Sequence, residues 1–260
     1  MSNDTLLHYT LADGVTAFST TRQGGCSQGE YASMNVGAYC GDDEACVAAN
    51  RRTLLSWLGM TDEARLVIPH EVHGIESRII GEEFPALPES IRGMILEGVD
   101  AVMTNVPGIC VGVTTADCIP LLICDPNHRA VCAVHAGWRG TVAQIARKAL
   151  TDMAVAYGTR PEDVLVQIGP GISLEYFEVG DEVYEAFAEA GFDMERVARR
   201  LEKWHIDLAL CNRLTLEDAG VRPDRIADCA VCSYAEADRF FSARRHGTAS
   251  GRTCTGIMLH

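Results

Sequence analysis

The sequence predicts an α/β fold with mixed β-sheets, organised as one domain over residues 1–260. Three observations predict it. Strand-like and helix-like patterns intermingle along the whole chain, with no low-complexity linker and no repeat of fixed period. A hydrophobic content of 47% against 22% charged residues is enough to bury a sizeable core. The apolar runs Leu121–Cys124 and Ala130–Val134 read as two buried strands joined by the turn Asp125-Pro126-Asn127.

The other elements follow in order. Gly14–Thr20 alternates as a first strand and enters the glycine turn Thr21–Gly25, which carries Arg22. Asp43–Leu58 sets Val47, Leu54, Leu55 and Leu58 at helical spacing and stops at Gly59. Arg65–Ile80 has strand-like ends around Pro69–Gly74. His70 and His73 lie three apart, but proline and glycine favour a strand or turn in which the rings diverge, so at most one is expected to be a ligand. Glu82–Glu97 is an acidic, proline-containing surface excursion, and Val99–Thr104 is a strand. Thr141–Met153 carries a helical face, Val164–Ile168 is a short strand, and Val183–Val197 and Trp204–Leu216 read as helices. Arg239–His260 holds Phe240-Phe241, Arg244-Arg245, a glycine turn and a final strand to Leu259.

Charge and cysteine usage narrow the function classes. A net charge of −14 argues against general nucleic-acid affinity, which needs clustered Lys and Arg. It still allows a small anionic ligand held by local arginines. No apolar run approaches the roughly 20 residues that span a bilayer, so no membrane partner is expected. The acidic start MSNDTLLHYTLADG lacks the basic and apolar regions of a secretory signal. The eleven cysteines are odd in number and scattered, which suits reduced thiols and a cytoplasmic location. Cys229-x-x-Cys232 has no second pair to complete a zinc ribbon and reads as packing.

His73, Cys118 and His135, spaced H-x44-C-x16-H, stand out chemically. Two imidazoles and one thiolate with a fourth position open are a catalytic zinc arrangement, and the ion would lower the pKa of water towards neutrality. Spacing this long does not single out that set, and Cys118 with His135 also suits a nucleophile–base pair. The segment from His135 to Thr141 is a strand-to-helix turn, where backbone N–H groups and Arg139 favour an anion. Arg244-Arg245, followed by His246, is a second candidate anion site.

VHG (72–74), TTADCIPLL (114–122) and AVHAGWRGT (133–141) together resemble the YfiH-type laccase-domain proteins. These are also described as multi-copper polyphenol oxidoreductase-like and as purine nucleoside phosphorylases. STTRQGG (19–25), SMNVG (33–37), VDAVMT (99–104), FEVGDEV (177–183), NRLTLEDAGV (212–221) and RFFSARRHG (239–247) extend the resemblance over nearly the full length. It implies a layered α/β/β/α fold and Zn2+ held by His73, Cys118 and His135, with Cu2+ as the alternative ion. It also implies phosphorolysis of adenosine, inosine and S-methyl-5'-thioadenosine to free base and sugar 1-phosphate, with adenosine deamination at the same site. Two departures are local: Glu71 stands where the family usually has Gln, and Gly171–Tyr176 lacks a common cysteine pair.

The expected partners are thus purine nucleosides and phosphate. Arg22, Asn35, Asp117, Arg139, Arg244 and Arg245 are the candidate substrate contacts, with Asp117 an available proton donor in deamination. A copper polyphenol oxidase is the second reading, although a four-copper site consumes many imidazoles in His-x-His pairs. None of the eight histidines falls in that pattern, and His8 and His260 sit at the chain ends. A metal-independent cysteine hydrolase or deamidase is the third, and a non-enzymatic binding module the fourth.

Overall fold

The computed structural model describes residues 5–260; the first four residues of the acidic amino-terminal stretch lie outside the described residues. The chain runs through β1 (Leu6–Tyr9), β2 (Val15–Thr20), α1 (Glu44–Trp57), β3 (Leu66–Val67), β4 (Ser77–Ile79), α2 (Glu89–Leu96), β5 (Ala101–Thr104), β6 (Cys110–Thr115), β7 (Ile119–Asp125) and β8 (Ala130–Ala136). It continues with α3 (Trp138–Val142), α4 (Ile145–Tyr157), β9 (Leu165–Ile168), β10 (Glu178–Val179), α5 (Asp181–Glu189), α6 (Met194–Val197), β11 (Ala198–Arg200), β12 (Trp204–Ile206), α7 (Leu208–Asp218), β13 (Ile226–Asp228), α8 (Ala243–His246) and β14 (Thr253–Leu259).

The strands form a five-stranded sheet in the order β1-β2-β14-β6-β3, a six-stranded sheet β13-β9-β7-β8-β5-β4 and a small sheet β10-β12-β11. The two large sheets are mixed: β6 pairs β3, β5 pairs β4 and β9 pairs β13 in parallel, and their other pairs are antiparallel.

The apolar runs of the β7–β8 hairpin are continuous because both faces are covered. Side chains alternate along a strand, so Leu121 and Ile123 join one core while Leu122 and Cys124 join another. The first core holds Ile145, Ala149 and Met153 of α4 with Cys211 and Leu216 of α7. The second lies between the sheets, where Leu122, Val131 and Ala133 meet Val111, Val113 and Ile257. On the far face of the five-stranded sheet, Phe18, Cys110 and Met258 pack against Leu54 of α1. The result is the α/β/β/α layering. Burying each such large side chain contributes about 1.5–3 kcal/mol.

Several boundaries differ from the sequence reading. The excursion Glu82–Glu97 contains α2, and Arg92 Nη1 closes its entry turn by donating to Pro85 O at 3.2 Å and Leu87 O at 2.9 Å. The helix over Thr141–Met153 is two helices, broken at Gln144, which sits at φ 60°. Val183–Val197 is likewise divided at Gly191, φ 87°. Trp204–Ile206 is a strand, and the helix begins only after Asp207, whose carboxylate accepts from Leu210 N at 2.9 Å.

Besides β5 to β6, three connections leave one large sheet and enter the other: β3 to β4, β6 to β7 and β13 to β14. They carry His73, Cys118 and the Arg244-Arg245 pair respectively. No helix among the described residues is long and apolar enough to cross a membrane.

Candidate metal centre

The β7–β8 register sets the base of the site. His135 pairs with Pro120 near the open end of the hairpin, two residues past Cys118. His73 reaches the same point from the β3–β4 connection. One ligand atom each from His73, Cys118 and His135 lies within 4.8 Å of the others, and the two rings meet edge to face with centroids 4.9 Å apart. His135 is buried, Cys118 half-buried and His73 exposed, so the triad grades from floor to mouth.

Local backbone holds this convergence. His73 and Asp117 adopt φ 63° and 92°, the left-handed region that L side chains avoid and that persists only where surroundings enforce it. Asp100 enforces the first. Its buried carboxylate accepts from the backbone amides of His73 at 2.9 Å, Gly74 at 2.8 Å and Val72 at 3.3 Å. Asp117 is fixed by its own carboxylate, which accepts from Ser233 Oγ at 2.7 Å and Arg244 N at 2.6 Å. Gly137 provides the remaining space, because a Cβ there would stand 2.8 Å from His73 Cδ2 and 3.1 Å from Cys118 Sγ.

Asp100 Oδ1 also lies 2.7 Å from His135 Nδ1. An ionised carboxylate only accepts, so Nδ1 donates and Nε2 is left as the ligand atom, the arrangement found behind metal-bound histidines. Burial pushes the Cys118 thiol up, but His135 and His73 outweigh it and hold it at about 6. Burial pulls His135 down, and Cys118 and Asp100 together raise it well above its usual value. A thiolate and two imidazoles directed at one point fit zinc, and suit copper also.

The triad opens into a cavity of about 240 Å³ whose walls include Tyr39, Cys40, Glu71, Thr114, Thr248 and Arg252. Glu71 accepts from Thr114 N at 2.6 Å and Thr114 Oγ1 at 3.0 Å. It sits deep among protein atoms with some surface on the cavity, and burial raises its carboxyl against the pull of His135 and Thr114. His70 is apart from the triad: its Nδ1 meets Glu97 Oε1 at 2.8 Å and its ring stacks on Tyr39 at 3.7 Å.

The candidate substrate contacts divide. Arg22 donates to Ala32 O at 2.7 Å and Ala237 O at 2.6 Å, and buried Asn35 ties Gly37, Asp42 and Arg252 N together. Asp117 is committed as described, and Arg139 is exposed over the Trp138 ring at 4.3 Å. Arg244 and Arg245 are exposed beside Ala243, which lines the cavity. None of these six is itself a lining residue. Sequence reasoning missed Asp100, although a lone acid between Val99 and Ala101 in an apolar strand is a signal. It also missed Arg51 of α1, which donates Nε to Val36 O at 2.9 Å; burial pulls its guanidinium down against Cys254 and Glu71. Cys229 and Cys232 do not belong to the converging set of ligand atoms, and Cys232 Sγ accepts from Ser173 N at 3.4 Å.

A buried carboxylate orienting a His2Cys set, on an α/β/β/α fold, defines a candidate metal centre at a sheet-to-sheet crossing. The chain belongs to the multi-copper polyphenol oxidoreductase laccase family, whose model matches residues 16–260. It is 46% identical over 249 residues to a purine nucleoside phosphorylase of Bacteroides thetaiotaomicron, covering 95% of this chain and 92% of that one. It is 42% identical over 248 residues to adenosine deaminase RL5 of an unknown prokaryotic organism, covering 94% of each. The crystal structure of Bacillus licheniformis hypothetical protein YfiH superposes with a TM-score of 0.92 at 28% identity, over 100% of this chain and 98% of that one.

Proposed function

We propose that this chain is a purine nucleoside enzyme, one domain over residues 1–260, that holds a zinc ion through His73, Cys118 and His135. The observation that carries the reading is the convergence of those three ligand atoms within 4.8 Å at the base of a small cavity. The names of the two relatives supply the substrate class. The reactions proposed are phosphorolysis of adenosine, inosine and S-methyl-5'-thioadenosine to free base and sugar 1-phosphate, and deamination of adenosine to inosine. When bound, zinc supplies Lewis-acid polarisation at the reacting atom.

The chain's own residues bind and orient. Asp100 fixes the His135 ring, so its Nε2 would be aimed at a bound ion before substrate arrives. Glu71 and Thr114 give one wall a polar face for heteroatoms of the base and sugar. The Tyr39–His70 stack offers an aromatic edge to a purine. Arg244 and Arg245, beside the cavity wall at Ala243, are assigned to phosphate; Asn35 and Asp117 support the wall through Arg252 and the Arg244 backbone, and Arg22 and Arg139 remain proposed substrate contacts from the family resemblance alone. The described cysteines are all free thiols, which fits a reducing compartment, and we propose the cytoplasm.

The decisive experiment incubates purified protein with adenosine, with and without phosphate, following adenine, hypoxanthine and inosine. Adenine formed only with phosphate establishes phosphorolysis, and inosine establishes deamination. No product in either condition overturns the proposal.

A second reading rests on one observation, the Cys118 thiol held at about 6 beside His135. That pair suits a cysteine nucleophile with its base, as in a hydrolase or deamidase. Activity that survives a chelator after metal analysis reads zero would favour it.

A further inference from the structure

One wall of the cavity belongs to the long loop between β2 and α1, which contributes Gly37, Tyr39 and Cys40. Asn50 of α1 pins that loop: Nδ2 donates to Ser27 Oγ, Ser33 O and Asn35 O, and Oδ1 accepts from Cys26 N at 2.9 Å. Beside this clasp two cysteines face each other. Cys26 Sγ lies 3.6 Å from Cys46 O, and Cys46 Sγ lies 3.9 Å from Cys26 O. Cys26 is exposed and Cys46 half-buried, whereas Cys110, Cys124, Cys132, Cys211 and Cys254 are buried. Cys40, the other thiol of the loop, turns away to Gly37 O at 3.2 Å.

We propose that Cys26 and Cys46 form a thiol–disulfide exchange site whose cross-link closes the cavity-wall loop onto α1. Its reaction partner is a low-molecular-weight disulfide such as glutathione disulfide. The Cys26 thiolate attacks one glutathione sulfur, the glutathione S–S bond breaks, and one glutathione leaves. The Cys46 thiolate then attacks the Cys26 sulfur and displaces the second glutathione. Two protein thiols are oxidised by two electrons, one glutathione disulfide is reduced to two glutathiones, and the two protons end on the departing thiols. The contact with Cys26 pushes the Cys46 thiol up to about 11, which leaves the more exposed Cys26 as the attacking sulfur. The closed ring then restricts a loop that hydrogen bonds alone held before.

The test treats the native full-length protein with glutathione disulfide, alkylates the remaining thiols and digests with a glutamate-specific protease. Cuts after Glu30 and Glu44 place Cys26, Cys40 and Cys46 on three separate peptides. The expected product joins the Cys26 and Cys46 peptides with the loss of two hydrogens, leaves Cys40 alkylated and is reversed by dithiothreitol. Amide exchange over residues 27–45 slows in the oxidised protein and not in a Cys46→Ser variant, which retains glutathione on Cys26. Glutathione on Cys26 of the native protein with no link, a link to Cys40, or equal slowing in Cys46→Ser overturns the proposal.

Discussion

His135 Nδ1 stands 2.7 Å from Asp100 Oδ1, with the two side chains 4% and 0% exposed. The same carboxylate gathers the amides of Val72, His73 and Gly74. One buried acid thus orients the ring of one member of the candidate triad and fixes the backbone of a second, tying β5 and β8 to the β3–β4 connection.

Asp100→Asn removes an acceptor and places an amide N–H among donors. The expected outcome is a folded protein less stable by about 1–3 kcal/mol, with metal affinity lowered roughly 10–100-fold. Competition with a chromophoric chelator measures the second quantity. Unchanged affinity would mean that His135 does not depend on this carboxylate.

Gly137→Ala tests the space at the centre without backbone strain, since Gly137 sits at φ −69° and ψ 169°. Its new methyl would press on His73 and Cys118 together. Metal affinity is expected to fall by at least about tenfold, the scale of a disturbed ligand shell, with little change in circular dichroism. Full metal occupancy by elemental analysis at limiting metal would contradict this.

Burial raises the Glu71 carboxyl above its ordinary value. The folded state therefore keeps a proton that the unfolded chain releases. This contribution is complete below about pH 4.3 and is lost as pH rises through the folded value. Glu71→Gln removes the dependence, so its stability advantage over the parent should grow across that interval in urea melts of metal-free protein. Parallel stability–pH curves would rule the effect out.

Leu122 is fully buried between the two large sheets. Leu122→Ala should cost about 2–5 kcal/mol, whereas Val155→Ala, at a side chain 84% exposed, should stay within about 0.5 kcal/mol. Chemical denaturation of both variants compares them directly, and equal losses would refute the two-sided burial of β7.

The central hairpin was legible because its apolar runs have no polar face, whereas the triad was legible only through the family resemblance, since spacing alone does not single out three residues among eleven cysteines and eight histidines. What escaped depends on distant partners. Trp204–Ile206 is a strand only because Glu178–Val179 and Ala198–Arg200 come to lie beside it. Gln144 breaks a helix that its neighbours favour, with nothing in its residue type to announce it. Arg22 resembled a loop charge open to an anion, yet one of its carbonyl partners, Ala237, lies 215 residues away. Asp100 was visible as an oddity, but its purpose appears only when three segments meet around it.

The ligand-bearing connections β3–β4 and β6–β7 each step from the five-stranded sheet to the six-stranded one, and His135 rides on β8 of the latter. An ion gripped there would act as a rivet through the sandwich. Its binding would stabilise the folded state by about 2.7 kcal/mol at an ion concentration 100 times Kd, resisting separation of the layers. Starvation for metal would then be felt as mechanical loosening of the sandwich and faster turnover of the protein, even where no substrate is present.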